Sequence, residues 1–262
     1  MEYSIDAYSA LYREIASLSL DPYPLSQEDL SEIMRMRDLL KDTLPSDPDK
    51  VISSLCTETE EKLRFEYETV LYAQQKRKES LSNIYSSLLK AFSYFLSTPP
   101  LNKTMTVWFT PLTESERQML REAILVFTSK CSEVQTRLIT LGATDEQISA
   151  TVRLEKELLT KKIALLLSFP SHKEQILDKT DRLSDLATET ELLKQRKEEL
   201  SKAALRVAVD LLPPFLEDLH PILASLDEES SHSADTTDVR RIFLNAEGLR
   251  EQIRQTIDPI IK

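Results

Sequence analysis

An all-α protein, made of elongated coiled coils or helical hairpins with short flanking helices, is predicted by three features of the chain. Glycine is nearly absent: only Gly142 and Gly248 occur among 262 residues. Apolar residues recur at alternating steps of four and three over long stretches. Proline clusters and capping boxes, rather than glycine turns, punctuate the sequence. A dinucleotide fold, a P-loop protein or a β-rich barrel needs glycine wherever backbone turns tightly or approaches a phosphate, so those architectures are excluded. A long helix loses about 1 kcal/mol for each interior glycine relative to alanine and tends to shed it.

Residues 1–44 read as two short helices separated by Asp21-Pro22-Tyr23-Pro24, the second opening at Ser26 with Asp29 three residues on. Leu30, Ile33, Met34, Arg37, Leu40 and Leu44 form its stripe. Helices this short need something to pack on. After the break at Leu44-Pro45-Ser46-Asp47-Pro48, residues 49–97 carry a heptad seam. It runs Leu63, Tyr67, Val70, Gln74, Arg77, Leu81, Ile84, Leu88, Ala91 and Phe95, with two polar residues in the middle that weaken it and can set register. Ser97-Thr98-Pro99-Pro100 ends that helix, and 98–112 is a connector bearing the only tryptophan, Trp108, beside Phe109.

Thr113-Glu114-Ser115-Glu116 is a capping box. It opens the cleanest seam of the chain: Leu120, Ile124, Phe127, Cys131, Val134, Leu138 and Leu141. Gly142 follows, where a left-handed residue could close the helix. A second box, Thr144-Asp145-Glu146-Gln147, leads into Ile148, Val152, Leu159, Ile163 and Leu166, so 113–169 holds two capped heptad helices broken at Gly142. Whether the break is a reversal or a hinge is open at this level. A third box, Ser171-His172-Lys173-Glu174, opens a helix over 171–212 with the seam Ile176, Lys179, Leu183, Leu186, Thr190, Leu193, Lys197, Leu200, Ala204, Val207 and Leu211. Polar residues interrupt this seam, so it pairs more weakly or with a partner that complements Thr190 and Lys197. Pro213-Pro214 is expected to stop it. Residues 213–238 are then a Pro-bounded segment and an acidic Ser-rich linker, and 239–262 a terminal amphipathic helix with Val239, Ile242, Phe243, Ala246, Leu249, Ile253 and Ile257 on one face. No fixed-period repeat is present.

Bulk properties restrict function. A formal charge of -11 repels a phosphate backbone and argues against direct nucleic-acid binding. The basic runs Lys76-Arg77-Lys78 and Lys161-Lys162 read as solvated helix faces. Cys56 and Cys131 fall on apolar stripes without disulfide or metal spacing, as expected of small buried hydrophobes in a reducing compartment. No basic leader opens the chain and no apolar run reaches bilayer length, so an intracellular protein without direct membrane contact is expected. His172, His220 and His232 have no partners at ligand spacing. Acid pairs such as Glu58 with Glu61 and Glu155 with Glu157 are what an acid-rich helical chain produces by chance. The expectation is therefore a non-enzyme with no catalytic residues, no metal, no cofactor and no small-molecule substrate. Its partners would be other coiled-coil subunits in a hetero-oligomer. The expected binding seam is Leu120, Ile124, Phe127, Val134, Leu138, Leu141, Leu183, Leu186, Leu193, Leu200 and Val207.

Three stretches carry a resemblance: Thr110-Pro111-Leu112-Thr113-Glu114 before a coiled coil, the Leu-Lys-rich helix from Leu192 to Leu200, and Pro214-Phe215-Leu216-Glu217-Asp218-Leu219-His220-Pro221-Ile222-Leu223-Ala224. Over about 110–226 the chain resembles the centromere protein K family of the inner kinetochore. It departs from that family's pattern where Leu219 stands between Asp218 and His220, and its N-terminal hundred residues lie outside the likeness. The resemblance implies a structural subunit that pairs along its helices with centromere protein H, in the nucleus at the centromere, with a role in chromosome segregation at mitosis. A subunit of the augmin complex or another microtubule-associated spindle assembly is the nearest alternative, and a helical membrane-trafficking or tethering protein is the alternative from another class.

Overall fold

The computed structural model describes residues 4–18, 24–42, 47–102, 112–143, 150–227 and 236–262. The all-α class holds: every element among them is helical. In order these are α1 (Ile5–Ser17), α2 (Gln27–Asp42), α3 (Pro48–Ser97), α4 (Glu114–Gly142), α5 (Ala150–Ser168), α6 (Lys173–Leu205), a π-helical turn (Arg206–Leu211), α7 (Leu212–Asp227) and α8 (Thr236–Ile261). They form two units, Met1–Tyr72 with Glu146–Lys194 and Ala73–Asp145 with Gln195–Lys262. The Trp108-Phe109 pair, the box at Thr144 and the acidic stretch 228–235 lie outside the described residues. Among those that are described, no helix is long and apolar enough to cross a membrane.

In the first unit α2 opens as its sequence suggests. The Ser26 hydroxyl accepts the Asp29 amide at 3.2 Å while the Asp29 carboxylate accepts the Ser26 amide at 2.8 Å. The hydroxyl bond to Ser26 holds the Asp29 carboxyl below the usual range. Leu30, Ile33 and Met34 close on Leu11 and Ile15 of α1 and Ile163 of α5. Arg37 leaves the stripe and reaches Glu14 at 2.7 Å. A neighbouring core joins Leu40 to Ile52, Cys56 and Leu63 of α3, Leu158, Leu165 and Leu166 of α5, and Ile176 and Leu183 of α6. The start of α6 differs from the expected box: Pro170–His172 form a 3-10 turn without a side-chain cap, and the Ser171 hydroxyl pairs with His172 Nδ1 at 3.0 Å.

The second unit is four helical segments around one core: the end of α3, α4, the run from α6 through α7, and α8. Thr113 and Glu116 cap α4 reciprocally, at 3.3 and 2.8 Å. Arg77 donates to Ala143 O near the end of α4, whereas Phe92 and Phe95 meet Phe127 further back along it, so α3 and α4 run antiparallel. Phe127 also meets Phe215, and Gln135 meets Ala208, which sets α4 antiparallel to α6–α7. Phe127 stacks on Phe95 at 4.5 Å and takes Phe92 and Phe215 edge-on at 5.0 and 5.9 Å. Such geometries add about 0.5–1.5 kcal/mol per pair beyond burial. Arg77, a polar position in the α3 seam, also donates to the Ser201 hydroxyl and so has its partners within the fold.

Two expectations at special residues fail for identifiable reasons. Pro213-Pro214 does not stop the chain, because helix continues from Lys173 to Asp227. The π-helical turn makes this possible: Leu212 N–H bonds to Val207 O, five residues back. In that register the Ala208 carbonyl would take its hydrogen from residue 213, which as proline has none. The Gln135 side-chain amide supplies it instead, at 2.9 Å. Gly142, for its part, is not left-handed, since no glycine has positive φ. It is the last residue of α4, and a Cβ there would overlap Leu205 Cγ and lie 3.2 Å from Ser201 O. Absence of a side chain lets α4 and α6 approach. Gly248 has nothing within 4 Å of its virtual Cβ.

The two glycines should therefore respond oppositely to alanine. Gly142→Ala is expected to cost about 1–3 kcal/mol through overpacking, and Gly248→Ala to stabilise by about 1 kcal/mol through helix propensity. Urea unfolding of the two variants beside the parent chain measures both signs. Gln135→Leu should cost about 1–3 kcal/mol by leaving the Ala208 carbonyl without a donor. Gln135→Glu should be worse at pH 7, where an ionised carboxylate faces that carbonyl, and should recover at pH 4 as the protonated acid donates.

Candidate interaction groove

The seam residues expected to hold a partner chain are used by the protein itself. Leu120, Ile124, Phe127, Val134, Leu138, Leu200 and Val207 are buried in the core of the second unit, and Leu141 packs half-buried against it. Leu183 belongs to a core of the first unit, with Leu186 half-buried against it, and Leu193 is half-buried. The seam closes on the chain's own helices because four amphipathic segments converge there, and apolar stripes gain the same free energy from an internal partner as from an external one. Thr190 needs no complement from outside: it is fully buried, and its hydroxyl returns to Leu186 O at 2.8 Å.

Among the described residues the second unit leaves open a groove of about 420 Å³ between α3 and α4. Ser87, Lys90, Ala91 and Tyr94 recur at steps of three and four and so share one face of α3. Val126, Phe127, Lys130, Glu133, Val134 and Arg137 face them from α4. Buried Phe127 and Val134 make the floor; both also belong to the predicted seam. Ala91 occupies a seam position with only a methyl group, which leaves the hollow. Tyr94 and Val126 stand on the walls, 60% and 46% exposed. Lys90, Lys130 and Arg137 make the rim basic, with Glu133 the single acid. Lys130 bonds Glu133 at 3.0 Å and holds its carboxyl below the usual range. Lys90 and Arg137 have no carboxylate at salt-bridge distance among the described residues.

Sequence reasoning passed over Lys90, Tyr94, Val126, Lys130 and Arg137. The signal was Leu125-Val126 lying off the seam and still apolar, with half of each side chain left in solvent.

Several of the residues flagged in the sequence have structural duties. Lys161, read as a solvated face, is 7% exposed; its ammonium bonds Thr59 Oγ1 and Glu157 at 2.9 Å each. Glu157 also takes Lys62 at 3.1 Å, and Lys62 takes Glu58 at 3.0 Å. Two acids singled out in the sequence thus belong to one ion-pair ladder. Burial pushes the Cys131 thiol up to about 12, so it is a buried hydrophobe and not a thiolate. His172 lies 3.8 Å from Asp49, and among the described residues no group of three or more His, Cys, Asp or Glu is placed to hold a metal. No protein-family model matches the chain, and no curated protein and no solved structure matches it. The groove is read from its own geometry.

Tyr85, on the other side of the α3 seam, donates to Asp258 of α8 at 2.6 Å. Burial, then this bond, raises the phenol from 10.0 to about 12, while the same bond holds the Asp258 carboxyl below its usual range. The raised phenol stabilises the fold fully below pH 10 and loses that contribution as pH rises toward 12. Tyr85→Phe is accordingly expected to cost about 1 kcal/mol at neutral pH, and to lose stability less steeply than the parent between pH 10 and 12. Urea titrations at pH 8, 10 and 11 read the difference in slope.

Proposed function

We propose that this protein is a non-enzymatic, all-helical structural subunit of a multiprotein assembly, and that it holds its partner on the outer surface of its helices rather than in its heptad seams. One observation carries the reading. The seams are filled from within, yet the α3–α4 groove leaves Tyr94 and Val126 in solvent beside a basic rim on a chain of net charge -11. Apolar side chains gathered in a concave surface with a charged rim are what protein interfaces use. Further support is that Glu58, Glu157 and Lys161, singled out in the sequence, share one set of ion pairs, and that Cys56 and Cys131 are buried among apolar side chains. The resemblance of residues 110–226 to the centromere protein K family makes the inner kinetochore the assembly to test first.

Tagged protein purified from cells of its source at physiological salt, followed by mass spectrometry and light scattering, is expected to yield a stoichiometric complex with a small set of helical subunits. Inner-kinetochore subunits, including one of the centromere protein H family, would identify the assembly. Augmin or vesicle-tethering subunits in their place would reassign it. Recovery of the chain as a lone monomer would overturn the proposal.

A further inference from the structure

We infer that the groove between α3 and α4 seats an acidic amphipathic helix of a partner protein. This rests on the reading of the chain as an assembly subunit and adds the chemistry of what it binds. The groove follows α4 from Val126 to Arg137. At 1.5 Å per residue it is about 16 Å long, the length of three helical turns. Its apolar positions along α4 are Val126 and Phe127 at one end and Val134 two turns on, with Ala91 and Tyr94 facing them from α3. A helix laid along the groove would present apolar anchors at i, i+3 or i+4, and i+7.

The rim decides the charge of the occupant. Lys90 projects from one wall and Arg137 from the other, neither with a carboxylate at salt-bridge distance among the described residues, and the one acid, Glu133, draws on Lys130 by a direct bond and on Arg137 at longer range. Acids on both flanks of the docked stripe would meet Lys90 and Arg137, and a basic helix would be repelled by both. A nucleic-acid backbone would use those cations but leave the apolar floor and the Tyr94 ring without a counterpart. The hollow over Ala91 admits one large side chain, which makes that site the anchor.

The test is selection of 18-residue helical peptides from a displayed random library on the full-length protein, followed by affinity measurement of the winners. The expected winners carry Leu, Phe or Met at i, i+4 and i+7 with Asp or Glu flanking them. Their affinity should fall by about tenfold or more in Lys90→Glu/Arg137→Glu, and by as much in Ala91→Trp, which fills the hollow. Lys90 and Arg137 are exposed, so that variant keeps the question answerable should Ala91→Trp fail to fold. The inference is overturned by winners without acid enrichment, by affinity unchanged in the charge-reversed variant, by an empty selection, or by displacement of the winners by duplex DNA. Self-association of the parent chain that the same substitutions abolish would also overturn it, giving the groove to a second copy. Cellular partners that co-purify equally with parent and charge-reversed protein would overturn the groove and leave the subunit reading standing. A parent chain without partners would instead sink that reading.

Discussion

A helix that carries two consecutive prolines has two backbone positions unable to donate hydrogen bonds, and something must answer for the carbonyls left behind. In the second unit the answer is a change of register from four residues to five at Arg206–Leu211, with the Gln135 amide of α4 bonded to the Ala208 carbonyl. Everything downstream depends on this device. Were the helix to end at Leu212, Phe215 and Leu219 would not continue along α4, and the aromatic cluster around Phe127 would lose its third partner. The same stretch brings Leu205 against Gly142, so the close approach of the two helices and the repair of the proline site are set within one segment of α6 and its continuation.

That dependence also marks where a sequence can be read and where it cannot. The α4 seam was legible residue by residue, because steps of four and three over Leu120 to Leu138 and a reciprocal cap at Thr113 are local properties of the chain. The α8 stripe was legible for the same reason. Proline and glycine were misread because their local preferences were overruled by neighbours remote in sequence: Gln135 rescues Pro213, and Leu205 explains Gly142. Lys161 is a similar case, a lysine whose burial is tolerable only because Thr59 and Glu157 receive its ammonium. The groove was hidden for another reason: it forms between two helices, and only their antiparallel packing brings Lys90 and Tyr94 of α3 into one hollow with Val126, Lys130 and Arg137 of α4.

A division of labour between inner and outer helix faces follows. Buried stripes secure each unit, and polar residues inside them are satisfied by Arg77 with Ser201, Thr190 with Leu186 and Lys179 with Ser53. Since the seams are occupied, a partner of the kind proposed would not have to compete with the fold for them. Phe127 and Val134 belong to both systems, buried against the core on one side and forming the floor of the groove on the other.

The composition of the units has a further consequence. Neither is continuous in sequence: one needs residues from both Met1–Tyr72 and Glu146–Lys194, the other from Ala73–Asp145 and Gln195–Lys262. The two are interleaved like the alternate turns of two threads, so no single cut between residues 73 and 194 releases an intact folding unit. Completion of the first unit requires residues as late as Lys194, beyond the first half of the second. A chain of this connectivity carries long-range closure as its main kinetic barrier. Its exposed intermediates are the stage at which chaperones or an early-binding partner would have most to contribute.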